Sequence, residues 1–210
     1  MTPLVTHDGI AAPLLRDNID TDAIIPSREM KTTGKTGLAA GLFAGWRYAS
    51  AGSREPNRDF VLNQPRFADA TILIGGANFG CGSSREHAVW ALAEYGIRAV
   101  IATGFAPIFF GNCIRNGIVP VVLDPGAVAD IAAAVAVDPE ANRIHIDVPA
   151  RTIALRDGRV WAFPLEEEAQ AMLVEGLDAI DLTLKLDGAI AAFHARDRET
   201  RPWIYLEGQK

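Results

Sequence analysis

Between residues 71 and 137 the chain alternates short apolar runs with longer segments of helical character. Residues 71–74, 98–102 and 119–123 are apolar almost throughout, the pattern of strands buried on both faces of a parallel sheet. Helices are predicted over 84–95, capped by Gly96, over 107–116, closed by Gly117, and over 126–135. This alternation predicts an α/β fold, a parallel sheet with flanking helices. Downstream, 143–148, 152–155 and 159–163 read as a small antiparallel meander with Asp157-Gly158 as a hairpin turn, and 166–175 and 180–196 as helices. Upstream, 2–12 reads as short strands meeting at an Asp8-Gly9 turn, and 20–26 as a loop stopped by Pro26. Glycines and Thr-Gly pairs across 27–46 predict a mobile loop with some helix, a kind of segment that often carries function. Residues 50–58 are polar and rich in turn formers.

Composition narrows the class. The chain has 210 residues, 49% hydrophobic and 22% charged, which suits one globular domain over 1–210 with a core that needs no staples. Residues 185–210 read as a helical C-terminal tail of that domain. Net charge is −6 and no basic patch occurs, which argues against nucleic-acid binding. The apolar runs, such as 131–137, fall far short of a membrane span, and the N-terminus lacks the pattern of a signal peptide. Cys81 and Cys113 read as free thiols of a cytoplasmic protein, and two cysteines cannot by themselves hold a four-cysteine metal site or an iron–sulfur cluster.

The chemistry concentrates in Asn78-Phe79-Gly80-Cys81-Gly82-Ser83-Ser84-Arg85-Glu86-His87-Ala88-Val89-Trp90. A strand leads in and a helix follows, so the segment reads as a glycine-rich turn at a helix N-terminus. Backbone N–H groups and the helix dipole converge there and favour an anion. Arg85 can grip a carboxylate bidentately, and a serine hydroxyl can act as acid or base where its alkoxide is stabilised. The plain alternative is a tight turn at Gly80 and Gly82 with Ser83 or Ser84 as a helix N-cap. A dinucleotide fingerprint fits poorly, because Arg85 stands at the third glycine. No Gly-Lys-Ser/Thr of a P-loop occurs, and the segment lacks the G-x-S-x-G of a nucleophile elbow. Cys81 with His87 suggests a thiol nucleophile, although a cysteine between two glycines more often just fills a tight place.

Taken whole, residues 78–88 resemble the signature of the aconitase superfamily, and more narrowly that of the small subunits of isopropylmalate dehydratases. Asn18-Ile19-Asp20-Thr21-Asp22-Ala23-Ile24-Ile25-Pro26 resembles the N-terminal motif of that family. Asn57-Arg58-Asp59-Phe60-Val61-Leu62-Asn63 is similar to another, with Arg58 where proline is usual. Residues 105–113 with 116–120 resemble a further core motif. The resemblance is dense over 6–123 and weaker to 184. It implies the aconitase-type swivelling β/β/α domain. It also implies half of a heterodimeric hydro-lyase that interconverts 2-isopropylmalate and 3-isopropylmalate in leucine biosynthesis. The partner is a large subunit bearing a [4Fe–4S] cluster, with no cofactor bound by this chain.

On that resemblance Ser83 matches the first serine of the G-S-S-R-E-H motif and is the expected catalytic base. Its alkoxide would be stabilised by turn N–H groups, the helix N-terminus and Arg85. Ser84 and Arg85 are expected to bind a substrate carboxylate, and Lys35 to contact the variable group from the 27–46 loop. Asp22 and Gly82 are supporting residues, Asp22 by orienting a histidine of the large subunit. Asp20 reads as a turn former, Glu86 and His87 as structural, Asn112 and Asn116 as turn and cap residues, and His7, His145 and His194 as surface.

Two stretches depart from the family pattern. Lys35 stands where arginine is frequent and offers a point charge instead of a fork. Around 171–184 only Gly176-Leu177-Asp178 and Leu182-Thr183-Leu184 survive, and the tail extends beyond. These changes raise the alternative of a related dehydratase for methylmalate, dimethylmalate or another substituted malate. A stand-alone dicarboxylate-binding domain and a Cys81/His87 hydrolase are the readings from other classes.

Overall fold

The apolar runs form one end of a sheet. The structure, a computed structural model, describes residues 1–31 and 34–205. Its strands are β1 (Thr6–Pro13), β2 (Ala70–Ile74), β3 (Ala99–Ala102), β4 (Val119–Val122), β5 (Ile144–Asp147), β6 (Thr152–Leu155) and β7 (Val160–Ala162), in the order β4-β3-β2-β1-β5-β6-β7. β1 through β4 pair in parallel; β1–β5, β5–β6 and β6–β7 are antiparallel. Ile72, Leu73, Ile74 and all of β3 have 0% exposure, as strands covered on both faces must.

The expected turn at Asp8-Gly9 is instead the interior of β1. Thr6–Gly9 pair with β5, and Ile10–Pro13 with β2, so this strand welds the parallel set to the antiparallel meander. Gly9 serves close approach rather than a turn. A Cβ there would lie 2.2 Å from Thr71 Oγ1 and 2.8 Å from His7 Nε2. The Asp157-Gly158 turn is present, with Gly158 at φ 93°.

The helices are α1 (Thr21–Ile24), α2 (Ala44–Arg47), α3 (Glu86–Tyr95), α4 (Pro107–Arg115), α5 (Pro125–Val137), α6 (Glu167–Glu175), α7 (Ala179–Leu184) and α8 (Asp187–Thr200). Gly96 ends α3 at φ 105°, its N–H bonded to Leu92 O and Ala93 O. Asp124 caps α5 by accepting from Ala127 N at 3.0 Å. The single helix predicted over 180–196 is two helices. An Asp178–Asp181 capping box starts α7, and Lys185 and Leu186 N–H turn back onto Leu182 O and Thr183 O to close it.

Among its described residues the 27–46 segment holds the 3₁₀ turns Ser27–Glu29 and Ala39–Gly41 and runs into α2. Its second half is fixed by the core, where Leu38, Leu42 and Phe43 have 0% exposure. The chain divides into the units Met1–Gly176 and Leu177–Lys210. Within the second, Asp197 is buried and accepts from Arg201 Nε and Tyr205 OH, both at 2.7 Å. Among the described residues no helix is long and apolar enough to cross a membrane.

Candidate active site

The glycine-rich turn is laced between two other loops. Gly80 N donates to Ile19 O at 2.7 Å and Thr21 N to Cys81 O at 2.9 Å, tying it to the segment before α1. Phe79 N donates to Gly104 O at 2.9 Å and Ala106 N to Phe79 O at 3.0 Å, tying it to the segment before α4. Gly80 is demanded twice over. It sits at φ 76°, and a Cβ would lie 2.0 Å from Phe109 Cγ. Gly82 takes φ 90° with room around it, so its demand is conformational.

Beyond Gly82 the chain presents Ser83, Ser84 and Arg85 to a cavity of about 230 Å³. Thr21, Gly82, Ser83, Ser84 and Arg85 line one side; Pro107, Ile108, Phe109 and Asn112 line the other. The N-cap of α3, Arg85, and the first residues of α4 therefore border the same space, and the unpaired N–H groups of a first helical turn make such a place favourable for an anion. The plain reading of a serine N-cap does not hold. The N-cap of α3 is Arg85, without a side-chain cap bond, and both serine residues are exposed. The Ser83 backbone is pinned instead, its carbonyl accepting from Thr21 Oγ1 at 2.9 Å and Arg85 N at 2.7 Å.

Arg85 forms an ion pair through Nη1 with Asp22 Oδ1. Asp20 positions its neighbour: it N-caps α1, accepting from Ala23 N at 2.6 Å, and so fixes the helix that carries Asp22. Ser27 Oγ lies 3.4 Å from the same Asp22 oxygen. Lys35 is not in the cavity wall. Its Nζ donates to Asn116 Oδ1 at 3.3 Å and lies 5.5 Å above the Trp90 ring. Asn116 Nδ2 in turn donates to Glu86 Oε1 at 3.0 Å, so a polar chain runs from Lys35 to the residue after Arg85. Asn116 is the C-cap of α4 as expected, yet it is also this bridge, and Asn112 is a cavity wall residue. Both lie inside a recognised motif; their part in the site comes from the packing of α4 against α3 and is not visible in spacing.

Cys113 is buried in the core, and burial pushes its thiol well above the usual range. Among the described residues no hydrogen bond joins Cys81 to His87, whose ring instead packs 4.7 Å from that of Trp90. No observed thiol–imidazole contact therefore supports the hydrolase reading. No group of three His, Cys, Asp or Glu side chains is placed to hold a metal among the described residues. His7, expected at the surface, is half-buried with Nε2 2.7 Å from Thr71 Oγ1.

Residues 1–126 match the family described as aconitase C-terminal domain. Residues 180–205 match a family described as the C-terminal domain of the 3-isopropylmalate dehydratase small subunit. Most of the tail beyond Leu184 thus falls within a family element of its own, whereas residues 171–179 lie outside it. A 3-isopropylmalate dehydratase small subunit of Cupriavidus necator is 54% identical over 99% of this chain and 100% of its own length. Another, of Rhodospirillum centenum, is 50% identical over 93% and 95%. A crystal structure described as 3-isopropylmalate dehydratase from Methanocaldococcus jannaschii superposes with a TM-score of 0.62 at 27% identity, covering 90% of this chain and 99% of that one.

Proposed function

We infer the function from one premise: the chain belongs to the aconitase C-terminal-domain family, among the small subunits of 3-isopropylmalate dehydratase. It acts as the small subunit of a hydro-lyase that interconverts 2-isopropylmalate and 3-isopropylmalate by dehydration and rehydration in leucine biosynthesis. Its partner is a large subunit. Identity of 54% over nearly the whole chain favours this substrate over other substituted malates. Two unpaired cysteines suit a reducing compartment, and the cytoplasm is the one this reading takes.

The observation that carries the mechanism is the joint presentation of Ser83, Ser84 and Arg85 to one cavity bordered by two helix N-termini. Ser83 Oγ takes the proton from the carbon beside the hydroxyl-bearing one and returns a proton on rehydration. An alkoxide is tolerable there only if preorganised charge surrounds it, and the Arg85 guanidinium and first-turn N–H groups supply that charge. Arg85, with Ser84, holds a substrate carboxylate. Asp22 holds the guanidinium in place, and Gly82 gives the turn its left-handed step. Lys35 approaches from the 27–46 loop toward the substrate's variable group. Lewis-acid assistance to hydroxide departure is assigned to a [4Fe–4S] cluster on the large subunit, whose closure over the cavity would also exclude water.

The test is anaerobic. The chain is purified with its large subunit, the cluster is reconstituted, and formation of the unsaturated diacid is followed from 3-isopropylmalate and from other substituted malates. Preference for 3-isopropylmalate supports the reading. Preference for another malate, or tight dicarboxylate binding by the chain alone with no turnover, overturns it.

A further inference from the structure

The proposed base and clamp lie just before helix α3, with Arg85 at its N-cap, and the helix itself carries a second device along one stripe of its surface. Glu86, Trp90 and Glu94 recur at every fourth position, so they lie in a row. Residues 35–39 follow that row. Lys35 reaches Glu86 through Asn116 and overlies Trp90. At the far end the Glu94 carboxylate accepts three consecutive backbone N–H groups: Gly37 at 2.6 Å, Leu38 at 2.5 Å and Ala39 at 2.8 Å.

Three amide donors on one carboxylate make a strong, directional anchor, and each bond is charge-assisted. Desolvation pushes the Glu94 carboxyl up, but the three N–H bonds outweigh it and hold it below the usual carboxylate value. The anchor also marks a boundary. Leu38 and the following Leu42 and Phe43 are fully buried, whereas Gly37, at φ 83° with open space around it, is exposed and turns the chain outward toward Lys35.

We propose that Glu94 is the positioning residue of the substrate loop: its carboxylate clasps Gly37–Ala39 and so delivers Lys35 to the α3–α4 edge at Trp90 and Asn116. The proposal rests on the reading of Lys35 as a substrate-binding residue. Glu94 does not touch substrate and acts through the loop it holds.

The experiment pairs two readouts on Glu94→Gln, which keeps the shape of the side chain but loses the charge and faces an N–H with its own amide. Amide hydrogen exchange at Gly37, Leu38 and Ala39, measured on the chain alone, should accelerate roughly tenfold. In the reconstituted heterodimer the KM for 3-isopropylmalate should rise about fivefold to tenfold with kcat within about twofold, since the lost interaction is one of binding rather than chemistry. Combining Glu94→Gln with Lys35→Met should add little to the KM of Lys35→Met alone, because the two residues act as one unit. Unchanged exchange overturns the clasp. Faster exchange with an unchanged KM, or fully additive effects, overturns its role in delivering Lys35. A parallel Ser83→Ala variant that loses turnover while Glu94→Gln is silent leaves the proposed function standing and removes only this inference. A wild-type heterodimer inactive on 3-isopropylmalate removes the function and the delivery role together, while exchange still decides the clasp.

Discussion

The guanidinium of Arg85 is paired with the carboxylate of Asp22 at the edge of the cavity, so the side chain proposed to hold a substrate carboxylate already holds one. The pair aims Arg85 without burying it. Arg85 has 24% side-chain exposure and Asp22 56%, which leaves the fork accessible to a second acceptor. Arg85→Lys should therefore keep the charge and lose the bidentate geometry. One charge-assisted hydrogen bond is worth about 1.5 kcal/mol or more, so the KM should rise at least about tenfold. Steady-state kinetics of the heterodimer check this, and an unchanged KM would remove Arg85 from the clamp.

Ser83→Ala should lower kcat by about 10²- to 10⁴-fold, the range lost with a general base. The side chain is exposed and the local fold is held by the Ser83 carbonyl, not by its hydroxyl. Thermal stability should therefore stay within about 0.5 kcal/mol of wild type, and copurification with the large subunit should persist. A stable, assembled variant with normal turnover would sink the assignment.

Gly80→Ala tests the turn itself. The left-handed φ costs about 1–2 kcal/mol for an L-residue, and forcing a methyl into Phe109 about 1–3 kcal/mol more. Together they predict a loss of about 3 kcal/mol or a chain that does not accumulate. Gly96→Ala is the control: its φ of 105° is as strained, but nothing lies within 4 Å of the added Cβ. Denaturant unfolding of the two variants should rank Gly80→Ala clearly below Gly96→Ala, and equal losses would show that contact with Phe109 does not matter.

How far the sequence reaches is visible in these same residues. β2, β3 and β4 are legible because strands buried on both faces are apolar at nearly every position. β1 is not, because its outer half is polar and Asp8-Gly9 imitates a turn; only the register with β2 and β5 shows why a glycine is needed beside Thr71. The Ser83–Arg85 segment is legible because it is contiguous. The Asp22–Arg85 pair, the Lys35–Asn116–Glu86 chain and the Glu94 clasp join residues 30 to 81 positions apart, and such contacts leave no local pattern to read. A serine before a helix looks the same whether it caps the helix or faces a cavity; the backbone decides, by placing Arg85 at the cap.

His7 predicts a pH dependence of stability. Its imidazole is half-buried between β1 and Thr71. Desolvation first, then the positive charges of Arg98 and Arg143, hold its pKa below the ordinary histidine value of 6.5; Asp8 opposes them. Well above 6.5 the ring is neutral in both the folded and the unfolded chain and contributes nothing. As the pH falls through that value the unfolded chain takes up a proton that the folded chain refuses, so stability declines with acidity until the folded-state pKa is passed. His7→Gln keeps a polar side chain beside Thr71 and removes the titration. The variant's stability curve should therefore be flatter than that of wild type between roughly pH 5 and pH 7, by less than one proton's worth of slope. Denaturant unfolding of both proteins across that window measures the difference directly. Because carboxylates titrate alike in the two chains, the difference isolates this ring. Parallel curves would mean that Thr71 and the strand edge solvate the imidazolium as well as water does, and a steeper curve for the variant would reverse the sign of the effect.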